Sequence, residues 1–324
     1  MQTVVNSEKK TTLTKIKGFN ELGLLIVLAV LFVFFSIASD YFFTVKNLTN
    51  ILGQIALPLI SAVGLSLLVI SGEVDISIGS LQAFAALPLL VIMNSTGSFL
   101  LGAVGAILVG AGIGVVNGYL VTKLKINSLI ASLGMYYALR GIVYLITGKV
   151  PIVDEIKGDF FFAIGNMKLG NILPYSAILM FIILFAFMYI MRNTTYGRRL
   201  YAVGGNAEVS SLIGINTQKM KFSAFVICST LASVSAIILA SRLGSAQHGA
   251  GQGFEFQVVA AIVLGGISLE GGTGSLLGAF IGVTIMGIIQ NGLGMLNVDT
   301  MWQLVITGSI IILAVAIDEL KKRH

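Results

Sequence analysis

The chain has 324 residues, of which 56% are hydrophobic and only 10% charged, with a mean hydropathy of +0.97. A soluble domain carries about a quarter charged residues, so this composition leaves too little polar surface to cover a globule in water and excludes that class. The formal net charge of +6 lies in short segments between apolar runs, where the positive-inside bias of membrane proteins places it without any nucleic-acid partner.

Residues 1–21 are polar, carry Lys9, Lys10, Lys15 and Lys17, and run into an apolar stretch with no small-residue cleavage site. They read as a cytoplasmic tail before an uncleaved first span. A helix needs about 20 apolar residues to cross the hydrocarbon core. That ruler predicts ten spans, at 22–38, 50–70, 77–93, 99–121, 129–147, 173–191, 222–242, 257–270, 275–295 and 301–317. The segments at 77–93, 129–147 and 257–270 are short or rich in Gly, Ser and Ala, as bundle-interior or partly re-entrant helices are. The expected fold is an all-α polytopic membrane protein with about ten transmembrane helices over 22–317. With the N-terminus inside, the inner segments hold fourteen Lys and Arg against five in the outer ones, which predicts both termini in the cytoplasm and 318–324 as a second cytoplasmic tail.

Two segments between spans are long. The outer one, 148–172, balances Asp154, Glu155 and Asp159 against three lysines, and its Phe160, Phe161 and Phe162 suit the outer leaflet or a docking protein. The inner one, 192–221, holds Arg192, Arg198, Arg199, Lys219 and Lys221 against one acid, Glu208. Within it 207–212 reads as a short helix, with Asn206 as its N-cap and Gly214 as its stop. Two glycine ladders stand out, Gly110–Gly114–Gly118 in the fourth span and Gly274–Gly278–Gly282 at the ninth. Residues four apart share a helix face, so these fit close packing within the chain, a sliding surface or a subunit contact. Residues 69–81 and 263–276 echo each other, as duplicated transporter halves do.

No G-x-x-x-x-G-K-[ST] loop, H-E-x-x-H, nucleophile elbow or cysteine pair occurs, so the chain has no P-loop for nucleotide phosphate and no recognisable active site. The expected catalytic and metal sets are empty. Arg140 lies well inside the fifth span, as a substrate or gating contact or as a residue tied to carbonyls or an acid. Glu73 and Asp75 read as solvated or capping carboxylates at a turn. The spans hold essentially no carboxylate away from their ends, which argues against ion-coupled transport. Asn117, Asn127, Gln290, Asn291 and Gln303 supply neutral polar groups, either along a path for a hydroxyl-rich solute or in interhelical hydrogen bonds; Arg140, Asn117, Gln290 and Asn291 are the substrate-path candidates. Many spans, no energy-coupling chemistry and one large basic loop suggest a pore-forming subunit driven by a separate protein.

Three segments sharpen this. Ser71-Gly72-Glu73-Val74-Asp75-Ile76-Ser77-Ile78-Gly79-Ser80, Tyr201-Ala202-Val203-Gly204-Gly205-Asn206 with Ser211-Leu212-Ile213-Gly214-Ile215-Asn216, and Val263 through Ser275 (VLGGISLEGGTGS) resemble, in order, motifs of the ribose-type permeases of bacterial ABC importers for simple sugars; Ile289-Gln290-Asn291-Gly292-Leu293 is a fourth match. The resemblance implies an inner-membrane permease fold with a second permease subunit, identical or not. It also implies ATPase subunits that use ATP and Mg, an extracytoplasmic sugar-binding protein, and no cofactor on this chain itself. The 206–216 helix would be the coupling helix, with Arg198, Arg199, Gly204, Gly205, Asn206, Glu208, Ser211 and Gly214 at the ATPase. Val209, Ser210 and Ser211 depart from the family's usual two alanines and a basic residue, and Glu73 stands where glycine is frequent. A channel or scaffold that binds an inner-side partner without active transport is the alternative from another class.

Overall fold

The structure, a computed structural model, describes residues 22–156, 159–170 and 172–322. The tail 1–21 with its lysines, Lys157 of the 148–172 segment, and Arg323 and His324 lie outside the described residues. The helices in chain order are α1 (Leu22–Ala38), α2 (Val45–Ile70), α3 (Ile78–Thr96), α4 (Phe99–Thr122), α5 (Ser128–Thr147), α6 (Asp159–Asn166) and α7 (Tyr175–Asn193). There follow α8 (Thr195–Gly205), α9 (Ala207–Leu212), α10 (Thr217–Leu243), α11 (Phe254–Leu264), α12 (Leu276–Met295) and α13 (Thr300–Lys322).

Each of the ten predicted segments falls on a helix. Among the described residues, 7 of them are long and apolar enough to cross a membrane, and α1 and α11 are shorter. The segment predicted at 257–270 departs most. Its helix has 11 residues and stops at Gly265, so at 1.5 Å per residue it covers about 16 Å, half of a hydrocarbon core.

A helix that is apolar all round is buried at the centre of a bundle or faces lipid. Both occur here. α2 buries nearly its whole length against α7, α10, α11 and α12, whereas α4 and α5 present Leu100, Leu108 and Leu145 outward. Thr44 and Ser98 start α2 and α4 by accepting from the third amide on, and Gly97, Gly148 and Gly244 end α3, α5 and α10 in the left-handed region.

The α4 glycine ladder is the seam between α4 and α10. A Cβ on Gly114 would lie 2.7 Å from Val226 Cα and 2.8 Å from the Phe225 oxygen, and one on Gly118 would lie 2.9 Å from the Phe222 ring. Gly278 and Gly282 likewise press α12 onto the backbone of α11 at Gly265 and Ala261. Gly274 does not belong to that ladder: it precedes the Ser275 N-cap with φ +122° and packs on Ile267.

The 148–172 segment is folded rather than draped. Strand β1 (Ile152–Val153) pairs antiparallel with β4 (Ser245–Ala246), and β2 (Lys168–Leu169) with β3 (Leu173–Pro174). The three phenylalanines divide: Phe160 and Phe162 are exposed, while Phe161 is buried and its carbonyl accepts from Ser241 Oγ.

The α4–α10 seam predicts its own sensitivity. Gly114→Leu is expected to destabilise the protein by about 1–3 kcal/mol, as overpacking against backbone does, and to lower the temperature at which detergent-solubilised protein leaves the monodisperse peak. Gly112→Ala, where a Cβ meets nothing within 4 Å, is expected to leave that temperature in place.

Candidate partner-coupling site

The segment 192–221 builds two helices where the sequence reading expects one. The expected α9 forms with Asn206 Oδ1 accepting from Val209 N at 2.9 Å, and it ends at Gly214, with φ +83°. The unexpected α8 contains three glycines among its 11 residues, a poor helix signal. Tertiary contact makes it. Leu200 and Val203 are buried beneath it, and Gly197 lies against the Met191 backbone. Tyr196 Oη pairs with Ser223 Oγ at 3.0 Å, and Tyr201 Oη donates to the Gly274 carbonyl at 2.9 Å. Burial pushes both phenols above their ordinary range, so Tyr201 remains a donor at neutral pH.

Gly204, near the end of α8, sits where two turns meet. Gly72 and Gly266 follow α2 and α11 with φ +85° and +84°, and each turn closes alike. Gly72 N donates to Val69 O and Glu73 N to Leu68 O, while Gly266 N donates to Val263 O and Ile267 N to Ile262 O. The echo between 69–81 and 263–276 is therefore a repeated helix-stop geometry. The turns are joined by Gly272 N donating to Ile70 O at 2.9 Å. A Cβ on Gly204 would collide with that same Ile70 oxygen and with Gly272 N.

On this base α9 projects outward. Ser210 is its buried residue, while Val209, Leu212 and Ile213 are 53, 82 and 70% exposed. Arg198, Arg199, Glu208 and Ser211 are also exposed, and Gly205 is open on its free side. Beside α9, a cleft of about 170 Å³ is lined by Glu73, Val121, Lys125, Ala207, Gln218 and Lys221 among others, and Lys221 Nζ pairs with Glu73 Oε1 at 2.6 Å.

Asp75 is not solvated. It is fully buried, and its Oδ1 accepts from Ser77 N and Oγ at 2.8 and 2.6 Å, which caps the start of α3. Asn117 Nδ2 donates to Asp75 Oδ2 at 3.2 Å and to Ser77 Oγ at 3.0 Å. Asn291 exchanges bonds with Asn47 at 2.9 and 3.1 Å, joining α12 to α2. Gln290 accepts from Gln257 at 3.1 Å, joining α12 to α11. Arg140 donates to the carbonyls of His248, Ala250 and Gly79 at 2.7, 2.8 and 3.4 Å and lies 5.6 Å from the Tyr136 ring centroid. The four substrate-path candidates thus fall into four separate hydrogen-bonded sets. Sequence reasoning missed Glu255, a carboxylate only 2% exposed in the first turn of α11. Its signal was the misplaced helix start, which left it in a connecting segment.

The described residues thus form an apolar helical bundle with one packed platform, from which a short helix exposes apolar side chains. The family described as "Branched-chain amino acid transport system / permease component" matches residues 47–315, and the chain belongs to it. It is 38% identical over 302 residues to the ribose import permease protein RbsC of Escherichia coli strain K12, covering 92% of this chain and 93% of that protein. It is 34% identical over 307 residues to the L-arabinose ABC transporter permease protein AraH of Azospirillum brasilense, covering 94% and 89%. It is 38% identical over 300 residues to the probable ABC transporter permease protein YphD of Escherichia coli strain K12, covering 92% and 89%. No solved structure matches the chain significantly. The chain is accordingly a non-catalytic, multi-pass permease component of an ABC importer, which implies separate ATPase and binding-protein partners.

The Gly204 contact can be tested directly. Gly204→Ala must displace α8 from Ile70 O, and transport by the assembled importer is expected to fall at least tenfold with membrane insertion intact. Gly205→Ala, one residue on and open, is expected to retain transport within twofold of the parent.

Proposed function

We propose that this chain is the inner-membrane permease of a bacterial ATP-binding-cassette importer for a monosaccharide of the pentose type, with both termini in the cytoplasm. An ATPase that binds ATP and Mg docks on α9, a second permease subunit completes the path, and an external binding protein delivers the sugar. The names of the relatives support the substrate class: ribose for RbsC and L-arabinose for AraH.

The observation that carries the coupling role is the exposure of Val209, Leu212 and Ile213 on a helix whose base is packed against the ends of α2 and α11. Apolar side chains on an otherwise polar inter-span segment lie outside the bilayer and suit a groove on a partner. Arg198 and Arg199 flank them and suit acidic groups at the groove's rim. Asn206 and Gly214 set the helix's start and stop, while Gly204 fixes its origin.

Leu212→Asp with Ile213→Asp is expected to abolish co-purification of the ATPase and ATP-driven sugar uptake, because burying two carboxylates in an apolar groove costs several kcal/mol. Arg198→Glu with Arg199→Glu is expected to weaken the complex with a marked dependence on salt. The measurement is pull-down of the ATPase together with uptake in proteoliposomes containing permease, ATPase and binding protein. Uptake driven by an ion gradient in the absence of the ATPase would refute the reading, and unchanged uptake in both variants would refute the docking site.

A further inference from the structure

Seven buried side-chain polar atoms lack a protein partner among the described residues, and four of them enclose one region: Gln82 Oε1, Arg140 Nε, His248 Nδ1 and Glu255 Oε2. The region is the contact of Gly79, in the first turn of α3, with Gly251, in the segment before α11. A Cβ on Gly79 would meet the Glu255 carboxylate and lie 2.9 Å from the Gly251 oxygen; one on Gly251 would lie 2.5 Å from Gln82 Cβ. Arg140 closes the ring through its bonds to the Gly79, His248 and Ala250 carbonyls, and the His248 ring lies 5.4 Å from that of Tyr144. Gln82, Arg140 and Glu255 are 0, 8 and 2% exposed.

Three helices place this ring at mid-depth. Arg140 lies in the middle part of α5, and Gln82 Nε2 donates at 3.1 Å to the carbonyl of Ala232, near the middle of α10. Glu255 sits in the first turn of α11, at the end away from the Gly265–Gly272 turns and about 15 Å along the helix from Gly265. Helices broken inside the bundle are how transporters build sites near the bilayer centre.

The chemistry of the free atoms selects a ligand. Three of the five N–H groups of Arg140 are held by backbone carbonyls, which leaves Nε–H and one N–H of Nη2 to donate. Gln82 Oε1 and Glu255 Oε2 accept only, and His248 Nδ1 donates or accepts according to tautomer. A mixture of donors and acceptors matches hydroxyl groups, each of which gives one hydrogen bond and takes another. We infer that Gln82, Arg140, His248 and Glu255 form a mid-membrane subsite for the hydroxyls of the transported sugar. In this structure it is shut by the Gly79–Gly251 contact, and it opens when the segment 247–253 parts from α3. The inference rests on the sugar-importer reading and adds three residues, Gln82, His248 and Glu255, to the one intramembrane arginine.

The test uses the complete importer in proteoliposomes and compares D-ribose and L-arabinose with their monodeoxy analogues, uptake being corrected for occupancy of the binding protein. Glu255→Gln, which keeps shape but removes a charged acceptor, is expected to reduce uptake of the parent sugar roughly tenfold, and Gln82→Met, which keeps approximate volume but removes a neutral acceptor, roughly fivefold. For one deoxy analogue the loss is expected to be under threefold, because the missing hydroxyl no longer needs its partner. Should Glu255→Gln fail to insert, Gln82→Met provides the same comparison. An equal loss for every sugar and analogue, or no loss for any, overturns the subsite. Failure of the parent importer to take up any sugar, with ATP-driven uptake of leucine instead, overturns the sugar reading itself and is seen before any variant is made.

Discussion

Contact between bare backbones governs this molecule. At Gly204 the main chain of α8 rests on the Ile70 carbonyl, the same oxygen that accepts from Gly272. At Gly114 and Gly118 the main chain of α4 rests on α10, and at Gly278 and Gly282 that of α12 rests on α11. In lipid there is no difference in apolarity between a helix surface and its surroundings, so close packing and hydrogen bonds hold helices together. Glycine supplies the first by removing the side chain. The consequence at Gly204 is mechanical: α9 has its origin on the ends of two buried helices, with no flexible side chain between them. A force on α9 reaches α2 and α11 through backbone.

Most of the bundle is legible in composition, because runs of about 20 apolar residues have few other uses. The breaks are legible too where a residue of special conformation marks them, as Asn206 and Gly214 do for α9. What escapes is whatever depends on distant partners. α8 is a helix because Tyr196, Leu200, Tyr201 and Val203 find α10 and the 274 turn, none of which a local window contains. Asp75 reads as a turn carboxylate and is instead buried, since only the fold brings Asn117 and Ser229 to it. Glu255 is hidden for a different reason. Gly253 and Glu255 interrupt the apolar run, so in the sequence the span begins at 257 and its acid falls among loop residues.

The family description names a branched-chain amino acid system, whereas the relatives RbsC and AraH carry sugar names. An α-amino acid presents a carboxylate and an ammonium, whereas a sugar presents hydroxyls that each donate and accept. Here three of the five N–H groups of Arg140 are taken by carbonyls, and the neutral amides Asn117, Gln290 and Asn291 bond across helices. A fold shared across two cargo classes must place selectivity in side chains, so the evidence for cargo lies in this polar interior and not in the fold.

The two halves of the site are joined by a short, continuous route. The turn after α2 meets Gly271 and Gly272 at the α8 junction, and its next residue, Glu73, pairs with Lys221 at the start of α10. Two residues further on, Asp75 caps α3 while accepting from Asn117 on α4 and Ser229 on α10. Gly79, at the ring of Gln82, Arg140 and Glu255, follows within the first turn of that helix. Contiguity alone does not make a coupling path; a two-state element must lie on it. α3 has the properties such an element needs. Its start is held by polar bonds that can be exchanged, its first turn touches the 247–253 segment through glycine on both sides, and its interior Pro88 removes one backbone donor. A shift of α3 along α10 would break the Gly79–Gly251 contact, and on the docking proposed for α9 it would tie opening of the interior to movement of that helix.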